Sequence, residues 1–288
     1  MNPVGRALTE AARQLREVSD TPRLDAELLM AHAYGIERDA LLLRPPQGTV
    51  PADFPALLSR CLTGEPLAYI TGRRAFWNIE LEVGPGVLIP RPDSETLIAA
   101  AVEHFAGTDG PQRILDLGTG PGTLLLAALD QWPAATGIGI DSSSEALDYA
   151  RSNARRLELA HRAYFRLGNW AEGVTERFDL LLCNPPYVAT GAELGPGVAE
   201  HEPAQALFAG VDGLDDYRRL APAVGRLLAP GGLAAIEIGF DQATSASTLF
   251  LEQGLEPIVA KDLAGHPRAL LIGPADKALG KRNKSLYI

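Results

Sequence analysis

The tetrapeptide Asn184-Pro185-Pro186-Tyr187 directly follows an apolar run that ends at Cys183. Its prolines remove two backbone donors and stiffen the turn, which leaves carbonyl acceptors beside the side-chain oxygen of Asn184. The Asn184 oxygen and the Pro185 carbonyl can each bind one hydrogen of a planar NH2 group and aim its lone pair at an electrophilic methyl. The same acceptors stabilise positive charge developing on that nitrogen. The turn predicts group transfer to a planar nitrogen, with Tyr187 as a wall; a purely structural turn is the alternative.

A glycine-rich turn, DLGTGPG at positions 116–122, follows a predicted strand and opens a predicted helix. Its glycines allow the backbone to approach a ligand closely. Position 123 is threonine, so the dinucleotide fingerprint G-x-G-x-x-G lacks its last glycine, and a nicotinamide cofactor is disfavoured. The residues of this turn that we expect to contact a ligand are Asp116, Gly118, Thr119, Gly120, Pro121 and Gly122.

Asp141 ends the next predicted strand, about 20 residues after the turn, where an acidic side chain binds ribose hydroxyls in nucleotide sites. Capping of the following helix is its alternative role, and the two roles are compatible. Asn169 and Trp170 follow a predicted third strand. They are candidates to hydrogen-bond and border an adenine, although loop and core positions are the commoner use of such residues.

After Asp93, which we predict as the N-cap of a helix through Phe105, short apolar runs alternate with segments long enough for crossover helices. The pattern predicts an α/β domain with a parallel sheet covered on both faces. The runs are Arg113–Leu117, Thr136–Ile140, Phe178–Cys183 and Leu233–Ile238.

The first third of the chain shows apolar residues at helical spacing, and β-type character begins at Tyr69. We therefore predict a helical domain over 1–68, a β-hairpin linker over 69–92, the α/β domain over 93–273 and a basic tail over 274–288. The helical stripes are Leu8, Ala11, Leu15 and Val18, and Phe54, Leu57, Leu58, Cys61 and Leu62.

Composition narrows the class of partner. The 288 residues carry a net charge of −10, which disfavours direct binding of nucleic acid as the main activity. No apolar stretch is long enough to span a membrane, and the N-terminus does not resemble a secretion signal. The two cysteines, Cys61 and Cys183, lack metal-ligand spacing, so we predict no metal site and a cytoplasmic location.

Together, the 116–122 turn, Asp141 and Asn184–Tyr187 resemble the class I S-adenosylmethionine-dependent methyltransferases that modify planar amide or amine nitrogens. Other segments resemble the release factor glutamine methyltransferases in particular, and the similarity covers nearly all of the chain except the basic tail. Those segments are 64–70 (GEPLAYI), 76–77 (FW), 87–92 (VLIPRP), 212–214 (DGL) and 261–265 (KDLAG). Two positions depart from the family pattern: Ser94 replaces a usual threonine, and Asn169 a commonly acidic residue.

This resemblance implies a seven-stranded class I methyltransferase (Rossmann-like) sheet, with a small N-terminal helical domain that docks a protein substrate and a β-hairpin linker. It also implies S-adenosyl-L-methionine as cofactor and, as substrate, the glutamine of the Gly-Gly-Gln loop in class I peptide chain release factors. By motif match, Gly118–Gly122 and Asp141 hold the cofactor, Trp170 borders its adenine, and Asn184–Tyr187 bind the glutamine amide.

Three other functions compete with this prediction. An N6-adenine methyltransferase would present the same kind of NH2 group, but the chain lacks the basic, aromatic-interleaved stretch that holding a flipped base requires. A methyltransferase acting on a glutamine of a ribosomal protein fits the same motifs. An inactive docking module is expected to have lost Asn184 or the glycine turn, and both are present.

Overall fold

The computed structural model describes residues 2–44, 46–195 and 197–273. The predicted basic tail, 274–288, lies outside the described residues. Within the described chain, no helix is long and apolar enough to cross a membrane.

The helices, in chain order, are α1 (Pro3–Gln14), α2 (Pro22–Tyr34), α3 (Arg38–Leu43), α4 (Phe54–Leu62), α5 (Leu67–Thr71), α6 (Glu95–His104), α7 (Thr123–Gln131), α8 (Ser144–Arg156), α9 (Val198–His201), α10 (Asp215–Leu227) and α11 (Ala243–Leu251). The strands are β1 (Arg73–Phe76), β2 (Ile79–Glu82), β3 (Arg113–Leu117), β4 (Thr136–Asp141), β5 (Ala163–Leu167), β6 (Phe178–Cys183), β7 (Leu228–Glu237), β8 (Ile258–Lys261) and β9 (Pro267–Ile272).

The chain divides into two compact units. The smaller unit comprises residues up to Arg73 together with Val83–Pro85 and Glu193–Glu202, and the larger unit comprises the remaining segments. The hairpin of β1 and β2 falls almost entirely within the larger unit, since Arg74–Glu82 cluster with it.

Helix packing forms the core of the smaller unit. Helix α1 begins after Asn2, whose side chain accepts from the Gly5 amide, and Pro3 occupies its first turn, where a missing N–H costs nothing. Of the first predicted stripe, Leu8, Ala11 and Leu15 are buried, but Val18 is 47% exposed. The helical spacing fails at Val18 because the chain leaves α1 through a 3-10 turn before reaching it.

The second predicted stripe lies on α4, where Phe54 and Cys61 are buried and the three leucines pack partly buried against the same core. The β-type character expected from Tyr69 begins four residues later. Tyr69 lies instead in the short helix α5, which ends at Gly72 in the left-handed region before β1 starts.

Among the described residues of the larger unit, seven strands form one sheet in the order β5-β4-β3-β6-β7-β9-β8. The four predicted apolar runs correspond to β3, β4, β6 and β7, and some of their buried residues pack in one cluster with α10 and α11. Strands β5, β4, β3, β6 and β7 are parallel. The parallel arrangement predicted for the four runs is confirmed. Strand β9, which was not among the predicted runs, pairs antiparallel with both β7 and β8.

The start of α6 also differs from the prediction. A single 3-10 turn, Pro92–Ser94, precedes the helix, so Ser94 rather than Asp93 occupies the N-cap position. Pro92 is the first residue of that turn and has no backbone N–H, and the helix begins three residues after it. Ser94 is buried, with only 2% of its surface exposed.

Candidate active site

Three chain segments meet where neighbouring parallel strands end. Strand β3 pairs with β4 on one side and with β6 on the other. The glycine turn follows β3, Asp141 ends β4, and Asn184 follows β6. After β3 the chain forms β4 on one side of it, and only later forms β6 on the other side. The carboxyl ends of these strands are therefore the switch point, where open α/β sheets bind ligands.

The carboxylate of Asp116 holds the glycine turn through two hydrogen bonds. Its Oδ2 accepts from the Thr119 hydroxyl at 2.6 Å and from the Leu125 amide at 3.2 Å. The second bond places a carboxylate at the N-terminus of α7, where backbone N–H groups favour negative charge. The buried amide of Asn153 supports the turn on its other side by donating to the Pro121 carbonyl at 3.0 Å.

The second oxygen of Asp116, Oδ1, is buried and has no hydrogen-bond partner within the described residues. Burial raises the pKa of Asp116 from 3.8 to about 7, and the bonds from Thr119 and Leu125 only partly oppose this. Burying a carboxylate with an unsatisfied oxygen costs folding free energy when no ligand is bound. Such an oxygen in a cavity wall indicates a ligand that brings a donor or a positive charge.

We expect the Asp116→Asn variant to change how stability depends on pH. Between pH 3.8 and about 7 the folded wild type holds a proton on Asp116 that the unfolded chain has released. The free energy of unfolding that Asp116 contributes therefore falls as the pH rises through this window, and asparagine removes that slope. Urea unfolding at pH 5 and pH 8 is expected to show the variant gaining about 1 kcal/mol or more over wild type at the higher pH. Parallel pH dependences for the two proteins would contradict the assignment.

Asp141 joins the turn to the start of the next helix. Its Oδ2 accepts from the Gly120 amide at 2.8 Å, and its Oδ1 accepts from the Ser143 amide at 2.9 Å. Ser143, rather than Asp141, caps α8, since its hydroxyl accepts from the Ala146 amide. Each carboxylate oxygen has a further lone pair, so Asp141 can bind two hydroxyl donors while it holds the turn.

Trp170 lies against the glycine turn with a strained backbone. Its φ of +48° is in the left-handed region, which is unusual for a bulky residue and is concentrated at functional sites. The indole N–H donates to Asp216 at 3.2 Å, and Arg219 pairs with the same carboxylate. A Cβ at Gly118 would lie 3.2 Å from the Trp170 ring, so glycine allows this close approach. Asn169 is exposed and donates to Glu172 at 2.7 Å.

The side chains of the Asn184–Tyr187 turn point to different partners. The Nδ2 of Asn184 donates to the Ser94 hydroxyl at 3.0 Å. The Tyr187 hydroxyl donates to Glu237 at 3.3 Å, and burial raises the pKa of Tyr187. Pro185 is buried and Pro186 is half-buried.

These segments line a cavity of about 350 Å³, a size typical of small-molecule sites. Most residues predicted from the sequence lie in its wall: Asp116, Gly118, Thr119, Gly120, Pro121, Asp141, Asn169, Trp170, Asn184 and Pro186. Gly122, Pro185 and Tyr187 do not line it, and their predicted site roles remain predictions.

Sequence reasoning gave no role to several other wall residues, which include Val87, Leu88, Arg91, Ser94, Phe208, Asp216 and Arg219. The segment 87–92 was singled out as a motif but not assigned to the ligand site. Asp216 carries no local signal, because two acidic residues in the first turn of a helix are ordinary.

A sheet of this order, with one reversed strand next to its edge strand and a glycine turn after β3, is the class I methyltransferase fold. Two family models match: the PrmC N-terminal domain over residues 6–72 and a methyltransferase domain over residues 109–246. A solved methyltransferase structure from Pyrococcus furiosus shares the fold, with a TM-score of 0.51, 20% identity, and coverage of 75% of this chain and 95% of that one.

Curated relatives narrow the family. The release factor glutamine methyltransferase of Rhodospirillum rubrum is 44% identical over 93% of this chain and 84% of its own length. The enzyme of the same name from Caulobacter vibrioides is 42% identical over 92% of this chain and 94% of its own length. The chain belongs to the release factor glutamine methyltransferase family.

Proposed function

We propose that this protein transfers a methyl group from S-adenosyl-L-methionine to the side-chain amide nitrogen of glutamine in the Gly-Gly-Gln loop of class I peptide chain release factors. One observation carries the proposal. The glycine turn, Asp141 and Asn184 line the same cavity, so the residues that we propose for the nucleoside and for the amide are close together.

The residues present fit this cofactor. Gly120 lines the cavity, and a Cβ built there meets no atom within 4 Å, which leaves the turn open for a ligand. Asp141 retains lone pairs for two ribose hydroxyls, and Trp170 provides an aromatic surface for the adenine. The unpartnered oxygen of Asp116 suits the positively charged part of the cofactor. When bound, the cofactor supplies an electrophilic methyl group on a sulfonium.

Asn184 and the Pro185 carbonyl act on the acceptor. An amide nitrogen is a weak nucleophile, because its lone pair is delocalised into the carbonyl. Accepting both of its hydrogens orients that lone pair towards the methyl carbon and stabilises the charge that develops on nitrogen. With the cofactor bound, the nitrogen would take the methyl group, the carbon–sulfur electron pair would stay on sulfur, and the extra proton would leave for water. No side-chain nucleophile is needed.

The choice of acceptor is supported by the relatives, which carry the name release factor glutamine methyltransferase at 42–44% identity. The net charge of −10 also makes a polyanion a poor alternative. Cys61 and Cys183 are both buried free thiols, which agrees with a reducing compartment, and we propose that the reaction takes place in the cytoplasm.

Methyl transfer from labelled cofactor into a panel of acceptors tests this function. The panel contains a class I release factor, ribosomal proteins, and DNA and RNA oligonucleotides, all at moderate salt. Label is expected in the release factor alone. Label in a ribosomal protein instead would redirect the substrate assignment, and efficient labelling of adenine would overturn the protein-substrate proposal.

A further inference from the structure

A buried amide on helix α8 joins two segments of the larger unit. Asn153 is 0% exposed, and the other buried residues of this helix are three alanines and a leucine. Its Oδ1 accepts from the Glu82 amide at 2.6 Å, and its Nδ2 donates to the carbonyls of Glu82 and Pro121, each at 3.0 Å. One side chain therefore connects the end of β2 to the glycine turn.

The orientation of this amide is fixed by its three partners. An amide rotated by 180° would set its NH2 group against the Glu82 N–H and its oxygen against the two carbonyls. Buried polar groups left without partners are costly, so one arrangement of Asn153 satisfies all of them. Asn153 thereby fixes the Pro121 carbonyl relative to the backbone of Glu82.

Both connected segments lead to the wall of the cavity. Pro121 lies in the wall itself, and so does Gly86, four residues after Glu82. Asn153 and Glu82 do not line the cavity. Any effect of Asn153 on a ligand must therefore pass through the segments that it holds.

Helix α8 is also in close contact with both segments. A Cβ added at Gly122, at the end of the glycine turn, would lie 3.5 Å from the Cα of Ala150. One added at Gly86 would overlap the carboxylate of Glu145. The two parts of the wall thus rest on one helix, and Asn153 is the polar side chain on its buried face that bonds to the turn.

We propose that Asn153 is a positioning residue of the cofactor site, which holds the glycine turn in its binding shape before the cofactor arrives. A turn that is already ordered loses less conformational freedom on binding, so the bond to Pro121 raises the affinity for the ligand. The inference rests on the proposed function for the identity of the cofactor, and it does not depend on the methyl acceptor.

Calorimetric titration with S-adenosyl-L-methionine tests the proposal. Asn153→Ala is expected to weaken cofactor binding about tenfold, the upper end for the loss of one hydrogen bond. Transfer to a release factor at saturating cofactor is expected to stay within about twofold of wild type, because Asn153 touches no group that binds the acceptor. A higher KM for the cofactor with a nearly unchanged kcat separates positioning of this site from a general loss of activity.

Two further variants identify which bond matters. Asn153→Asp keeps the side-chain volume and the oxygen facing the Glu82 amide, but as a carboxylate it loses both donated bonds, so its affinity is expected to be no better than that of Asn153→Ala. Ser152→Ala is the matched control, since it removes a 2.7 Å bond from the neighbouring residue of α8 to the Glu82 carboxylate and leaves Asn153 in place. It is expected to bind the cofactor with wild-type affinity.

Hydrogen exchange tests the connection in the unaltered protein. Cofactor binding is expected to slow exchange of the Glu82 amide several-fold, because a bound turn holds Asn153 and Asn153 holds that amide. The Trp77 amide is the control, since it lies in the same hairpin but bonds to Glu95 at 2.9 Å. Its exchange at short times is expected to be unchanged. Mass spectrometry of overlapping peptides distinguishes the two amides.

Three results would overturn the inference: wild-type affinity in a folded Asn153→Ala protein, an equal loss in Ser152→Ala, or exchange of the Glu82 amide that does not respond to cofactor. The exchange measurement needs no variant, so it decides the inference even if Asn153→Ala does not fold. Failure of the proposed function gives a different result, because the wild-type protein would then bind no cofactor, or would bind it without labelling a release factor.

Discussion

Replacing Asn184 with alanine is expected to reduce methyl transfer by about 10²- to 10³-fold while leaving most of the cofactor affinity. The substitution removes the oxygen that orients the acceptor nitrogen and stabilises its developing charge. The proposed contacts of the cofactor with the glycine turn and with Asp141 remain, because these groups lie at the ends of other strands. Single-turnover transfer to a release factor at saturating cofactor measures the effect, and circular dichroism checks the fold.

Asn184→Asp serves as the matched variant for this prediction. Aspartate still offers an accepting oxygen, but as a carboxylate it cannot donate to Ser94. We expect transfer between that of wild type and that of Asn184→Ala. Near-native turnover by the alanine variant would mean that the Asn184–Tyr187 turn is structural and that the acceptor is held elsewhere.

The second large effect is expected for Asp141→Ala, which should weaken cofactor binding by about 100-fold or more. Two hydrogen bonds from ribose hydroxyls to a carboxylate are each worth about 1.5–3 kcal/mol. The variant also removes the 2.8 Å hydrogen bond from the Gly120 amide to Asp141, so the glycine turn itself loses a support. Calorimetric titration with the cofactor measures the loss.

Two controls accompany this titration. Asp148→Ala removes the same charge from the exposed face of the following helix, where Asp148 pairs with Arg151, and is expected to bind normally. Asp141→Asn keeps one accepting oxygen and is expected to fall between wild type and alanine. Unchanged affinity in a folded Asp141→Ala protein would rule out the ribose assignment.

Local patterns predicted the parts of the fold that depend on neighbouring residues. The apolar runs at β3, β4, β6 and β7 predicted strands, because a strand covered on both faces must be apolar throughout. Strand β9, which runs antiparallel to both of its neighbours, was not among the predicted strands. Its apolar sequence is compatible with either direction, and the direction is set by the hairpin with β8 and by which edge that hairpin joins.

The same distinction applies to the site. The 116–122 turn and Asn184 carry their chemistry within a few consecutive residues, so the sequence alone indicated them. The hydrogen-bond partners of Ser94 and Glu237 lie far away in the chain, at positions 184 and 187, and no local spacing relates them. One signal was available: Glu237 is an acidic residue inside an apolar run, a position that a buried carboxylate occupies only with partners.

The position of the transferred methyl group tests the central claim most directly. A release factor treated with this protein and cofactor is digested and sequenced by tandem mass spectrometry, beside a release factor in which the Gly-Gly-Gln glutamine is replaced by glutamate. We predict one methyl group on the side-chain nitrogen of that glutamine and none on the glutamate variant. A methyl group on any other residue, or equal labelling of the two release factors, would contradict the account.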